Sequence, residues 1–123
     1  MYIYIYCTTM ATVYEVWRGK TVIYTIYVDN DVKKAQCAVL QAHYNDDERN
    51  VHVLDVCTYR GYAGRGYASL LLNILLEEIP RTDFDTVTLD DCSDLFQHPR
   101  NIYLRHGFRY INEGQPEMVY DLN

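Results

Sequence analysis

The sequence is poor in several features, and each shortage narrows what the chain can be. Its four cysteines, Cys7, Cys37, Cys57 and Cys92, are widely spaced and none forms a C-x-x-C pair, so it carries no zinc or dithiol motif. Cys7, Cys37 and Cys57 sit in apolar, strand-like runs, where a thiol behaves as a small hydrophobe. A reducing, cytoplasmic compartment is expected. No apolar run approaches the roughly 18 residues of a membrane span. Residues Tyr2 to Cys7 lack the charged segment of a secretory leader and alternate like a strand, so neither a membrane anchor nor a targeting segment is expected, and Met10 is a second candidate start. Basic residues are also scarce: 11 Lys and Arg stand against 17 Asp and Glu, a net charge of -6. Such a field repels nucleic acid and anionic membrane and draws cations, which points to a small basic or amine partner. With 3 prolines and 6 glycines there is no linker, repeat or low-complexity tract, so residues 1–123 are expected to form one domain, as a monomer or homodimer.

Tyrosine is abundant instead, at 13 residues, mostly in alternating runs that suit a half-buried pleated surface. Strands are expected over Tyr2–Cys7, Thr12–Trp17, Thr21–Val28 and Val51–Thr58, separated by the turn clusters Arg18-Gly-Lys20, Asp29-Asn-Asp31 and Asn45–Asn50. Ala35–Tyr44 fits helix or strand, and its place between two turn clusters at hairpin spacing favours strand. The rhythm then changes. Tyr67, Leu70, Leu71, Ile74, Leu75 and Ile79 recur at helical spacing, so a helix is expected over Gly66–Ile79, stopped by Pro80. A strand at Phe84–Leu89, a helix at Pro99–His106 ended by Gly107, and strands at Phe108–Ile111 and Met118–Leu122 complete the order. The expected class is α+β: a mixed, mostly antiparallel sheet with two main helices and one parallel strand–helix–strand unit.

Gly61, Gly64 and Gly66 fall between a strand and that first long helix. Such a loop can turn backbone N–H groups into a concave nest, and the helix start adds unpaired donors and the positive end of its dipole. Arg65 adds a charge. A pyrophosphate suits this combination, although glycines alone also make a plain turn. Neither the P-loop nor the dinucleotide-binding glycine spacing is present.

The segment Ala63-Gly-Arg-Gly66-Tyr-Ala68 resembles the [Q/R]-x-x-G-x-[G/A] signature of the GNAT superfamily of N-acetyltransferases, with Ala63 in place of the usual Gln or Arg. Asn101-Ile-Tyr-Leu-Arg-His-Gly-Phe108 is similar to that family's N-x-Y-x-[K/R]-x-G-F ending of its last helix. The two occur in the family's order, with a strand between them. The first half departs from the plan: only Arg18-Gly-Lys20 separates two strands where the family has two helices, so a minimal GNAT fold lacking its first-half helices is expected.

The resemblance implies an N-acetyltransferase using acetyl-CoA as co-substrate. It places the thioester arm along Val56, Cys57 and Thr58, and the pyrophosphate on Ala63, Gly64, Arg65, Gly66, Tyr67, Ala68 and Ser69. It makes Tyr103 the proton donor to the departing sulfur, and it leaves Asn101 either touching the CoA arm or capping its helix. The amine must lose a proton before it attacks, and His52, Asp55 or Glu15 can accept it. Asp55 alternates away from His52 unless a bulge re-aims it. Asp90-Asp-Cys-Ser-Asp94 either holds a distal ammonium or is a solvated, helix-capping loop, and Asp46-Asp-Glu48 reads as a turn. No residue cluster calls for a metal. A likeness to the small polyamine acetyltransferases of large algal DNA viruses adds a polyamine acceptor, and a host cytosol, to the expectation. A protein-lysine or histone acetyltransferase and a non-catalytic CoA-binding module are the alternatives.

Overall fold

The computed structural model describes residues 6–8, 11–29, 34–93, 96–98 and 100–123. Its elements in chain order are β1 (Tyr6–Thr8), β2 (Ala11–Arg18), β3 (Thr21–Asp29), β4 (Lys34–Asn45), β5 (Asn50–Thr58), α1 (Tyr67–Glu78), β6 (Thr86–Asp90), α2 (Ile102–Arg105), β7 (Arg109–Tyr110) and β8 (Glu117–Asp121). They build one 8-stranded sheet in the order β1-β2-β3-β4-β5-β6-β8-β7. Every pairing is antiparallel except β5 with β6, which α1 connects. The expected class holds, and among the described residues the first half carries no helix, since β2 passes to β3 through Gly19 and Lys20 alone. Residues 2–5 of the expected first strand lie outside the described residues, as does Met10.

Residues Ala35 to Tyr44 do form a strand, and the source of their ambiguity is visible. The β3–β4 register shifts at Ile26/Tyr27, leaving Cys37 without a partner on β3. Cys37 and Ala38 are therefore both buried, which breaks the alternation a strand should show. The second expected helix is shorter than its pattern: α2 covers Ile102–Arg105, because Asn101 caps it and Gly107 ends it at φ 102.

The core lies between α1 and one face of the sheet. Leu71, Leu72 and Leu75 are fully buried against a layer that includes Val22, Tyr24, Ile26, Leu40 and Val51. Each such side chain contributes roughly 1.5–3 kcal/mol of burial. The opposite face of β2 and β3, with Tyr14, Val16, Ile23 and Tyr27, is half-buried and carries no helix among the described residues.

Candidate active site

The parallel pairing of β5 with β6 runs only from Asn50↔Thr86 to His52↔Thr88. Beyond it the strands part. From Val53 onward β5 keeps its β4 partner but has no strand on the β6 side, so its backbone edge faces a cleft. The cleft has a volume of about 300 Å³, and its walls include His52, Leu54, Asp55, Asp90, Cys92 and Tyr103. An open strand edge of this kind takes an extended ligand as an added strand.

A bulge arranges the cleft's polar wall. Gln41 pairs with Asp55 and Ala42 with Val53, leaving Leu54 unpaired. The extra residue returns Asp55 to the face of His52, as only a bulge could. His52 Nδ1 lies 2.8 Å from Thr88 Oγ1 on β6. That contact holds the ring, and Nε2 has no partner among the described residues. Leu54, 55% exposed, makes an apolar lip. Tyr103 is 9% exposed and lines the cleft from α2. Its phenol has no hydrogen-bond partner among the described residues. Burial, then the nearby Asp91, Cys92 and Asp55, push its pKa up to about 12.

Glu15 is elsewhere. It pairs with Tyr24, Tyr24 with Leu40 and Leu40 with Val56, which sets it three strands from β5 on the α1 side, roughly 14 Å across the sheet. There it is 4% exposed and accepts from Trp17 Nε1 at 2.8 Å. It does not line the cleft.

A second cavity of about 280 Å³ lies beside the loop that leads into α1, lined by Thr58, Tyr62, Gly64, Gly66, Tyr67, Ala68, Ser69, Ile102 and Arg105. Gly64 and Gly66 hold φ of 79 and 82, and a Cβ at either would meet no atom within 4 Å. Glycine is needed there for the left-handed backbone, and the space above it is free. Helix α1 has no side-chain cap and no acidic residue in its first turn, so its leading N–H groups remain available to an anion. Arg65, expected to supply the charge, instead lies over the Tyr62 ring at 5.4 Å, and neither it nor Ala63 lines the cavity. Arg105 on α2 faces the nest in its place. Ser69 Oγ is 2.7 Å from His106 Nε2, joining the first turn of α1 to the end of α2. Burial, then the charge of Arg105, push the His106 pKa down, favouring the neutral ring. Val56 lines the first cavity and Thr58 the second, while Cys57 lines neither.

Asn101 is the helix cap. It is 1% exposed, and its Oδ1 accepts from the N–H groups of Tyr103 at 2.8 Å and Leu104 at 3.3 Å. Sequence reasoning missed Arg105, His106 and Cys92. Arg105 occupies the [K/R] place of the motif ending in Phe108, which was the available signal. Nothing in the sequence distinguishes Cys92.

On the far side of His52 lies a shallow trough of about 510 Å³, whose lining includes His43, Glu48, Asn50, Thr88 and Glu117. Asp90 and Glu117 are direct partners across β6 and β8, an arrangement of like charges that is unfavourable by itself. Among the described residues the ion pairs are Lys20–Asp46, Arg49–Asp85 and Arg109–Asp121, so Glu48, Asp55, Asp90 and Glu117 are not neutralised by any of them.

The acetyltransferase (GNAT) family model matches residues 15–108. The chain belongs to this family. Solved structures of the same fold include a GNAT-family acetyltransferase from Staphylococcus aureus, at 15% identity and a TM-score of 0.65, with 85% of this chain and 69% of that chain covered. An IAA acetyltransferase from Bacillus cereus is similar at 12% identity and a TM-score of 0.63, covering 83% of this chain and 78% of that one. A spermidine/spermine N-acetyltransferase from Vibrio cholerae is similar at 14% identity and a TM-score of 0.61, covering 85% and 68%. At these identities the likeness is one of fold. No curated protein matches the chain. Among the described residues no helix of this acetyltransferase is long and apolar enough to cross a membrane, and Cys37, Cys57 and Cys92 are free thiols.

Proposed function

We propose that this acetyltransferase moves the acetyl group of acetyl-CoA to a primary amine of a small cationic molecule, a polyamine being the best fit. The observation that carries the reading is the parted β5–β6 pair beside an uncapped helix start. One feature offers an edge for an extended arm and the other a nest for its pyrophosphate. We read residues 1–123 as one such domain, working in a reducing compartment such as the cytosol.

In this reading the arm lies along Val56 and Thr58, and Gly64 to Ser69 with Arg105 hold the pyrophosphate. His52 Nε2 takes the ammonium proton, with Asp55 beside it on the same face. A free alkyl ammonium titrates near ~10.4, so this deprotonation must precede attack. The amine nitrogen then bonds to the carbonyl carbon, the carbon–sulfur bond breaks, Tyr103 donates its phenolic proton to the sulfur, and the second proton that the nitrogen sheds as it becomes an amide returns the phenolate to phenol. Unpaired backbone N–H groups on β5 stabilise the charge that grows on the carbonyl oxygen. The unneutralised Glu48, Asp90 and Glu117 beyond His52 suit a second ammonium of the acceptor.

The test is thiol release from acetyl-CoA in the presence of putrescine, spermidine, free lysine, an aminoglycoside or a histone-tail peptide. Release with the di- and triamines above the others supports the reading. Release with the peptide alone would make the chain a protein acetyltransferase, for which the exposed Leu54 lip and the helix-free sheet face provide room. No release with any amine, together with measurable CoA binding, would leave a non-catalytic CoA-binding module. Arg105→Ala is expected to raise KM for acetyl-CoA about fivefold, as loss of one charge-assisted contact to a solvated phosphate, whereas Arg65→Ala should change it less than twofold. Equal effects of the two, measured by steady-state kinetics, would contradict the exchange of roles between these arginines.

A further inference from the structure

Asp91 follows β6 directly and is 3% exposed, yet it does not line either cavity of the site. Its carboxylate collects donors from three separate stretches of chain. Oδ1 accepts from the Ser93 backbone N–H at 3.0 Å and from Ser93 Oγ at 2.5 Å. Oδ2 accepts from Asn101 Nδ2 at 2.7 Å and from Tyr110 Oη at 2.6 Å. Burial pushes the Asp91 pKa up, but the hydrogen bonds from Ser93, Tyr110 and Asn101 outweigh it and hold the group below the usual carboxylate range. The side chain is therefore a fixed negative charge at neutral pH. No neighbouring cation explains it, because the ion pairs among the described residues do not include it.

The second amide atom of Asn101 continues the chain of contacts. Asn101 Nδ2 is tied to Asp91, so its Oδ1 is aimed at the N–H groups of Tyr103 and Leu104. Helix α2 has only 4 residues, and its i→i−4 bonds among the described residues run from Arg105 N–H to Asn101 O and from His106 N–H to Ile102 O, so a helix this short depends on its cap. Its direction is set by this cap, and Tyr103 sits in its first turn. Burial first, and then the charge of this carboxylate, push the Tyr103 pKa up.

We propose that Asp91 is a positioning residue for acetyl transfer, acting through the Asn101 cap to aim Tyr103 into the cleft and holding a buried negative charge beside that cap. The proposal rests on the acetyl-transfer reading above. It assigns to Asp91 neither acceptor binding nor a merely solvated place in the acidic loop, and it separates Asp91 from its neighbour Asp90, which faces the cleft.

The test compares wild type with Asp91→Asn in steady-state thiol release, with kcat and KM for acetyl-CoA measured across pH. Tyrosine labelled at 13Cζ follows phenol titration by NMR, with Tyr103 assigned through Tyr103→Phe. Asp91→Asn is expected to lower kcat about fivefold, change KM for acetyl-CoA less than twofold, and move the Tyr103 titration to lower pH. The double exchange of Asp91→Asn with Asn101→Asp, which restores a donor–acceptor pair with the charge one position closer to α2, is expected to recover most of the lost kcat. Tyr110→Phe removes one of the four bonds to Asp91, together with the one Tyr110 Oη accepts from Gln97 N–H, and keeps the charge, so the Tyr103 titration should not move. If Asp91→Asn does not fold, Asn101→Ser takes its place: serine still caps α2 but lacks the amide that reaches Asp91, and kcat should fall about threefold. Unchanged kcat in either folded variant, or an unmoved Tyr103 titration in Asp91→Asn, would overturn the proposal. A wild type inactive toward every amine would sink the acetyl-transfer reading instead, and the NMR titration would still decide whether Asp91 governs Tyr103.

Discussion

Replacing Tyr103 by phenylalanine is expected to lower kcat at least tenfold while the protein stays folded. The ring itself packs against Phe108, with centroids 6.2 Å apart, and phenylalanine keeps that contact. Only the hydroxyl is removed, and it has no partner among the described residues, so no buried donor is stranded. A thiolate leaving without a proton must be stabilised by solvent in a cleft that partly excludes it. General acid help of this kind contributes about 10²–10⁴-fold when it is fully used, and a tenfold loss corresponds to about 1.4 kcal/mol of barrier. KM for acetyl-CoA should stay within about twofold, because the lost interaction matters when sulfur departs and not when the arm binds. The pH profile offers a second check. With its pKa pushed up to about 12 by burial and then by Asp91, Cys92 and Asp55, the phenol remains protonated well above neutrality. Loss of its proton should therefore not limit kcat at any pH where an ordinary tyrosine, titrating near ~10, would begin to. Turnover of the variant equal to wild type would remove Tyr103 from the chemistry.

Glu78→Gln is expected to stabilise the protein at alkaline pH, by about 2 kcal/mol at pH 8.5. Glu78 ends α1, half-buried over the sheet, and accepts from Tyr24 Oη at 2.5 Å. Beside it is Glu15, whose Oε1 is buried with no hydrogen-bond partner. A proton on Glu78 provides one, so the two acids hold a shared hydrogen in place of two repelling charges. Burial, then the hydrogen bond to Glu15, push the Glu78 pKa up to about 7, with Tyr24 opposing the shift. The direction of the stability change follows. The folded state keeps a proton that the unfolded chain releases near pH ~4.5, so unfolding is accompanied by proton loss between those values. This contribution is complete below about pH 4.5, shrinks as pH rises, and is gone once pH passes through about 7. Glutamine keeps the donor at every pH and removes the dependence. The gain stays below the full linkage value because Glu78 retains some solvent contact. Thermal unfolding at pH 5 and pH 8.5 measures it: the variant's advantage should be several degrees at the higher pH and small at the lower. Equal differences at the two values would exclude the shared proton.

Both results bear on how much could be read before the fold was known. The parallel unit, the uncapped glycine loop and the Tyr103 helix were legible because their signals are local. Leu70 to Ile79 recur at a helical period, Gly64 and Gly66 announce backbone that other residues resist, and Asn101 and Gly107 bracket a short helix. Positions whose meaning depends on a partner strand were not legible in the same way. Glu15 alternates like its neighbours and could face either side of the sheet until its pairing through Tyr24 and Leu40 is known. Asp55 changes sides because of one unpaired residue, Leu54, and no composition rule marks which residue of Val51 to Thr58 will be skipped.

The amino-acid sequence by itself determined the class of fold, the order of its described elements and the glycine loop that leads into α1. Hydrophobic periodicity and backbone restriction act over a few residues, so they survive without knowledge of the rest. Tertiary structure alone decided which charges meet. It turned Arg65 onto Tyr62 and brought Arg105 to the nest in its place. It buried Asp91 under four donors while leaving Asp90 in the cleft, one residue away. Electrostatic effects depend on distance and burial across the whole sheet, and neither quantity is written along a chain until it folds.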